Sequence, residues 1–163
     1  MSFENQFTRI LDRLGKLPGN MPTRAFSFAF GKMVPYVSTS GVRIESVSED
    51  CVVGTIKNRR KVRNHVGGVH AAAIALLAET TSGIVVGRNI PDGSLPLIKT
   101  MVLNYVKRNY GDFRAEARLA PEQIEKIRTE PKGTTVVPVT LTDGKGNESV
   151  TCEMVWAWVP KKS

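Results

Sequence analysis

Phe3, Phe7, Ile10, Leu11 and Leu14 recur at helical spacing with charged residues between them, which predicts an amphipathic helix closed by Gly15 and Pro18. A second short helix is expected after Pro22, with Phe26, Phe28, Ala29 and Met33 available for burial, and Pro35 ends it. From Val37 the texture turns to β. Val42 and Ile44 lead through a turn at Ser48-Glu49-Asp50 into the strand Cys51–Ile56. A helical segment from Gly68 to Gly87 interrupts, and β character then returns in Leu95–Lys107 and Phe113–Leu119, joined by a turn at Tyr110-Gly111-Asp112. Pro121–Arg128 reads as a short helical or irregular insert. Thr134–Leu141 and Glu148–Val159 follow, joined by the hairpin signal Asp143-Gly144-Lys145-Gly146-Asn147. Pro138 cannot donate to a ladder, so its strand is expected at an edge or with a bulge.

The order is two helices, two strands, one central helix and four strands. Short turns between strands imply an antiparallel sheet, and an isolated helix must cover one of its faces. The fold class is therefore α+β, with a helical extension over 1–34 and one domain over 35–163.

The central segment, Val69 to Arg88, is apolar around nearly its whole circumference, so it is expected to be buried rather than half-exposed. Glu79 is its only acid and its only charge before Arg88. Burial disfavours the ionised form of a carboxylate, so its pKa should be raised unless it is paired. Ala72, Ala75, Leu76, Ser82, Gly83 and Val86 share its face, and the small ones leave space for a ligand or for closely packed backbone. Two readings stay open at this point: a functional carboxylate, or a structural one paired with a base or a buried amide.

The segment Asn64-His65-Val66-Gly67-Gly68-Val69-His70, followed nine residues later by Glu79, resembles the motif of the hotdog-fold acyl-CoA thioesterases. It is similar to the branch of the phenylacetate-pathway and 4-hydroxybenzoyl-CoA enzymes, and also to a branch defined only as a domain of unknown function. The likeness covers residues 36 to 159. It implies an antiparallel sheet wrapped around one long buried central helix, here with two extra N-terminal helices, and it implies hydrolysis of an acyl-CoA thioester. By position, Glu79 takes the place of the carboxylate that activates water or attacks the thioester carbonyl. Asn64 takes that of the polar residue orienting water or substrate, and Ala71 that of a glycine whose N–H polarises the thioester oxygen. First-turn helix amides lack intrahelical partners and suit this last role. The family's His-Gly-Gly is His70-Ala71-Ala72 here, and the methyl of Ala71 narrows the approach. A non-catalytic acyl-CoA or fatty-acyl binding protein is the alternative motivated by the missing glycines.

Eight positions along one helix separate Ala71 from Glu79 by ~12 Å, too far for both to act on one carbonyl. The family's solution is a homodimer, or a homotetramer built from such dimers. Antiparallel central helices then let each site combine one subunit's amide with the other's carboxylate. Gly68, His70, Thr80, Arg63, Lys107 and Arg108 complete the expected substrate contacts. His70 lies about 180° from Glu79 around the helix and is expected to cap the helix start or shape the pocket. His65 and His70 lack a third ligand, so no metal is expected, and no cofactor beyond the coenzyme A of the substrate. No Gly-x-Ser-x-Gly elbow occurs.

Composition changes this picture little, and charge changes it more. The 163 residues suffice for one domain with its own core, without staples. Cys51 and Cys152 are too few and too far apart for a scaffold, and Cys152 alternates with buried-type residues. Ala71–Ala78 is the longest apolar run, and the N-terminus lacks a signal-peptide core. The expectation is a soluble, cytoplasmic protein with no membrane insertion. The formal charge of +8 points to anionic partners. Aromatic residues are only 7% of the chain and no nucleic-acid motif accompanies the charge, so nucleic acid is not expected. Five bases, Lys57, Arg59, Arg60, Lys61 and Arg63, fall in the seven residues before Asn64, where they could hold the phosphates of coenzyme A. If extended, this segment puts Arg59, Lys61 and Arg63 on one side.

Overall fold

The computed structural model describes residues 3–15 and 21–161, and Pro18, expected to close the first helix, lies outside them. Helix α1 (Gln6–Gly15) starts later than its apolar periodicity implies. Asn5 is its cap: the Thr8 N–H donates to Asn5 Oδ1 and the Asn5 N–H donates to Thr8 Oγ1, both at 2.8 Å. Phe3 is therefore outside the helix, under the guanidinium of Arg128.

Helix α2 (Met21–Met33) buries Phe26, whereas Phe28 and Met33 are 66% and 67% exposed and Ala29 is also exposed. The expectation for those three fails because the helix turns the face of Phe26 and Phe30 inward, where the two rings stack at 5.9 Å. Ser27, on the same side, accepts from the Ile44 N–H and donates to the Ile44 carbonyl. These are free edge groups of strand β1 (Val42–Val47), which ends the sheet, so a side chain covers an edge that would otherwise invite pairing. Pro35 does not lead into a strand. It opens helix α3 (Pro35–Ser40), where a missing N–H costs nothing, and Gly41 closes it with a left-handed φ of 76°. Val37, expected as β, is buried in this helix.

The remaining elements are β2 (Cys51–Ile56), helix α4 (Ala71–Asn89), β3 (Ser94–Tyr105), β4 (Phe113–Arg118), helix α5 (Pro121–Thr129), β5 (Gly133–Asp143) and β6 (Val150–Pro160). They form one six-stranded antiparallel sheet in the order β1-β2-β4-β5-β6-β3. Strand β5 is interior, yet its ladder with β4 ends at Ala117↔Val139, so Pro138 pairs with β6 alone. The proline thus occupies a local edge inside a central strand. Arg60–Val62 is a 3-10 turn with Val62 buried, so the bases from Arg59 to Arg63 do not line one side of an extended segment.

Helix α4 is long and apolar enough to cross a membrane by length and composition, but here the sheet covers it. Ile74, Leu77, Val85 and Val86 are fully buried against Val52, Ile56, Ala115 and Met154. Cys152 follows the inward alternation of β6, and burial pushes its thiol up to about 11.

Close approach of α4 to the sheet depends on Gly54, where a Cβ would sit 2.8 Å from Thr81 Cγ2 and 3.3 Å from the Arg43 carbonyl. Gly54→Ala is expected to destabilise the protein by about 1–3 kcal/mol, since neither helix nor strand can yield freely. Urea unfolding should show a lower midpoint with an unchanged slope; an unchanged midpoint would mean the contact relaxes without cost.

Candidate active site

Two structured regions lie at different heights along α4. The first surrounds its N-terminus. Asn64 Oδ1 accepts from the amides of Val66 and Gly68, and the Asn64 N–H donates to the Gly68 carbonyl, closing a tight loop with Gly67 at φ 85°. Asn58 frames it from outside: its Nδ2 donates to the Gly67 carbonyl, its Oδ1 accepts from Arg63 Nε, and its own N–H donates to Asp112. Asp112 belongs to the β3–β4 loop, which is anchored in turn by Asp143. That carboxylate accepts the Tyr110, Lys145 and Asn147 amides. Burial alone would raise its pKa, and the three amides hold it below the usual range. Gly68 is buried because Asn109 stands where its Cβ would go.

His70 is the N-cap of α4. Its Nδ1 accepts the Ala72 N–H at 3.1 Å, and its carbonyl accepts from Ala73 and Ile74. The Ala71 N–H is the first-turn amide without a partner among the described residues, and Ala71 is exposed. Tyr105, from β3, donates its hydroxyl to the Ala71 carbonyl at 2.8 Å and steadies this turn.

The second region is a cavity of about 480 Å3 around Glu79. Glu79 is half-buried, and no described residue forms a hydrogen bond or ion pair with its carboxylate. Burial raises its pKa above the ordinary carboxylate value. Thr80, beside it and 3% exposed, has a buried Oγ1 with no partner among the described residues. Trp156 borders the same cavity, its Nε1 fixed on Ser82 Oγ at 2.9 Å. Its ring fills the space where a Cβ on Gly83 would lie, 2.7 Å away. Met33, Leu95 and Leu97 line the cavity while staying exposed, and mark its open side.

Within one chain, Asn64, Gly68, His70, Ala71, Arg63, Lys107 and Arg108 gather near the helix start, and Glu79 and Thr80 line the cavity further along. Arg63 is committed to Asn58, and Arg108 donates to the Val66 carbonyl; both bind the loop as well as presenting charge. Lys107 is exposed beyond the end of β3. No group of three potential metal ligands occurs among the described residues. Asn58, Tyr105 and Trp156 were not anticipated. Only Gly83, a glycine in a strongly helical segment, hints in the sequence at a large side chain packed against it.

No curated protein sequence matches the chain. Solved structures do. The Pseudomonas aeruginosa protein PA5026, described as of unknown function and a probable thioesterase, is 26% identical with a TM-score of 0.76, over 88% of this chain and 100% of its own. The Haemophilus influenzae thioesterase HI1161 is 14% identical with a TM-score of 0.66, over 82% of this chain and 90% of its own. A variant of the Staphylococcus aureus thioesterase SAV0944 is 20% identical with a TM-score of 0.66, over 77% and 99%. The sheet wrapped on α4 is the hotdog fold these structures share. A family model described as a domain of unknown function, DUF4442, matches residues 22–159, and the chain belongs to that family, a branch of the hotdog-fold thioesterase superfamily.

Proposed function

We propose that the protein hydrolyses acyl-CoA thioesters to a free acid and coenzyme A, as a homodimer or a dimer of dimers. The observation that carries this is Glu79: an unpaired carboxylate, held half-buried in an apolar cavity, on the helix whose first free amide is that of Ala71. A structural carboxylate in that position would have a partner, and Glu79 has none among the described residues. The fold shared with proteins described as thioesterases supports the same reading.

As general base, Glu79 takes a proton from water while the water oxygen bonds to the thioester carbon. As nucleophile, its oxygen bonds to that carbon directly and water then cleaves the resulting anhydride. In both cases the carbonyl oxygen becomes an oxyanion facing the Ala71 N–H, the C–S bond breaks, and the sulfur leaves as thiolate and is protonated. Asn64 has its Oδ1 engaged in the loop, so its Nδ2 group is the arm that orients water or substrate. The exposed bases Lys57, Arg59, Arg60 and Lys61, with Lys107, receive the phosphates of coenzyme A.

Amide and carboxylate lie ~12 Å apart along one helix, so each site takes them from two subunits. The unpaired edge of β3 fits such an interface: it ends the sheet and exposes Leu95, Leu97, Met101, Val102 and Tyr105. A long apolar edge left open would pair indiscriminately. The test is free-thiol release from a panel of acyl-CoAs, run beside sedimentation equilibrium. Hydrolysis by a species of twice the monomer mass or more is expected. Tight acyl-CoA binding without thiol release would replace this reading by that of a binding protein, and an active monomer would overturn the shared site.

A further inference from the structure

The N-terminal helices, which lie outside the motif that carries the chemistry, build the wall of the Glu79 cavity. Glu79, Thr80, Gly83, Ile84, Gly87 and Ile90 line it from one face of α4. Phe7 of α1, Phe30 of α2 and Val37 of α3 face them across it. The far end is fastened by Asn5, which is 3% exposed and donates from Nδ2 to the carbonyls of Gly87, Arg88 and Ile90 at 3.1, 3.0 and 2.7 Å. The middle of the lining is apolar; Asn5, Gln6, Asp92 and Lys161 stand at the far end, and the Glu79 carboxylate stands at the other, beside the buried Thr80.

We infer that this cavity takes the acyl chain of a medium-length fatty acyl thioester, about eleven to fourteen carbons, laid along α4 from Glu79 past Gly87 to Asn5. The inference rests on the thioesterase reading above and names its substrate class. Length is the deciding quantity. Eight residues of helix from Glu79 to Gly87 span ~12 Å, and eleven to Ile90 span ~16 Å. An extended chain advances about 1.2 Å per bond, from roughly 3.5 Å per three-bond residue, so the groove matches about ten to thirteen bonds. A single aromatic ring would fill only the Glu79 end. The volume of about 480 Å3 is that of a pocket for a small organic ligand rather than a packing defect.

The two α4 glycines of the lining differ in what surrounds them. At Gly83 the space is already taken by Trp156, but a Cβ at Gly87 would meet nothing within 4 Å. Gly87 thus borders open space at the point where the distal half of the chain would pass.

The experiment is a series of saturated acyl-CoAs from acetyl to palmitoyl, with benzoyl-CoA beside it, assayed by thiol release with the full chain, Gly87→Ala and Gly87→Leu. For the wild type, kcat/KM should rise roughly threefold to fourfold per methylene and peak near twelve carbons. The dodecanoyl-to-butyryl ratio should fall about threefold in Gly87→Ala and at least ~10-fold in Gly87→Leu. Thermal melts monitor folding; should Gly87→Leu unfold, Gly87→Ala, whose methyl enters open space, decides. Calorimetric binding of dodecanoate gives a readout independent of turnover and should weaken in the same order. A peak at acetyl or benzoyl, or ratios unmoved by both variants, overturns the proposal. If no acyl-CoA is hydrolysed, the thioesterase reading falls. Dodecanoate binding weakened by Gly87→Ala would then still uphold the cavity assignment, and its absence would overturn that as well.

Discussion

Glu79→Gln is expected to lower kcat for thioester hydrolysis by roughly 10^2–10^4-fold, the span usual for loss of a positioned acid–base group. The same variant should be more stable than the wild type at neutral pH. Both effects come from one fact: the carboxylate sits in an apolar cavity with no partner among the described residues, and burial raises its pKa. The glutamine is isosteric, cannot accept a proton at any working pH, and carries no charge to desolvate. The sign follows from linkage. A carboxyl whose folded-state pKa exceeds its unfolded value favours folding below the unfolded pKa, and that contribution is lost as pH rises through the raised folded pKa. Thermal melts of variant and wild type should therefore converge under acidic conditions and separate above the Glu79 pKa, with the variant melting higher. Hydrolysis by the wild type should rise with pH through that same raised value. Unchanged turnover in Glu79→Gln would remove the carboxylate from the mechanism, and identical melts across the range would mean that it is solvated.

Ala71→Pro isolates the other half of the chemistry. Ala71 is the first residue of α4, a position that tolerates proline because its N–H has no helical partner. His70, with φ −65° and ψ 142°, already has the extended conformation that a following proline requires. The substitution thus deletes one donor and leaves the helix in place. Removing an oxyanion donor costs about 10^2–10^3-fold in kcat. Co-expressing Ala71→Pro with Glu79→Gln then tests whether sites are shared. Random pairing makes about half of the dimers mixed, and each mixed dimer has one site with both groups intact, so about a quarter of wild-type activity should return. Recovery of that size requires amide and carboxylate to come from different chains. No recovery, with both variants folded and dimeric, would place the whole site within one subunit and leave ~12 Å between its parts unexplained.

Much of the fold was legible because its signals are local. Alternation marked the strands, the turn chemistry of Asp143 to Asn147 marked the last hairpin, and the apolar circumference of α4 marked a buried helix. Where local signals conflicted, the sequence misled. Phe28 and Met33 are as apolar as Phe26, and which face of α2 turned inward depended on Ser27 meeting the edge of β1. Pro35 breaks a helix from within but starts one from its first turn, and only the chain path tells the two apart. Pro138 forbids a ladder partner on one side, and the β4 ladder ending at Ala117↔Val139, one pair short of it, satisfies that condition inside the sheet.

The sequence by itself determined the order of elements apart from α3 and singled out Glu79, because a lone carboxylate on an apolar helix and a turn built from glycines depend on neighbours a few positions away. Tertiary structure alone decided that no described partner meets that carboxylate and that Thr80 is left with a bare hydroxyl. It also decided that α1 to α3 close around a cavity. Those outcomes depend on contacts such as Asn5 with Ile90, 85 residues apart, whose formation no local pattern encodes. They arise only when buried polar groups across the whole chain must find partners at once.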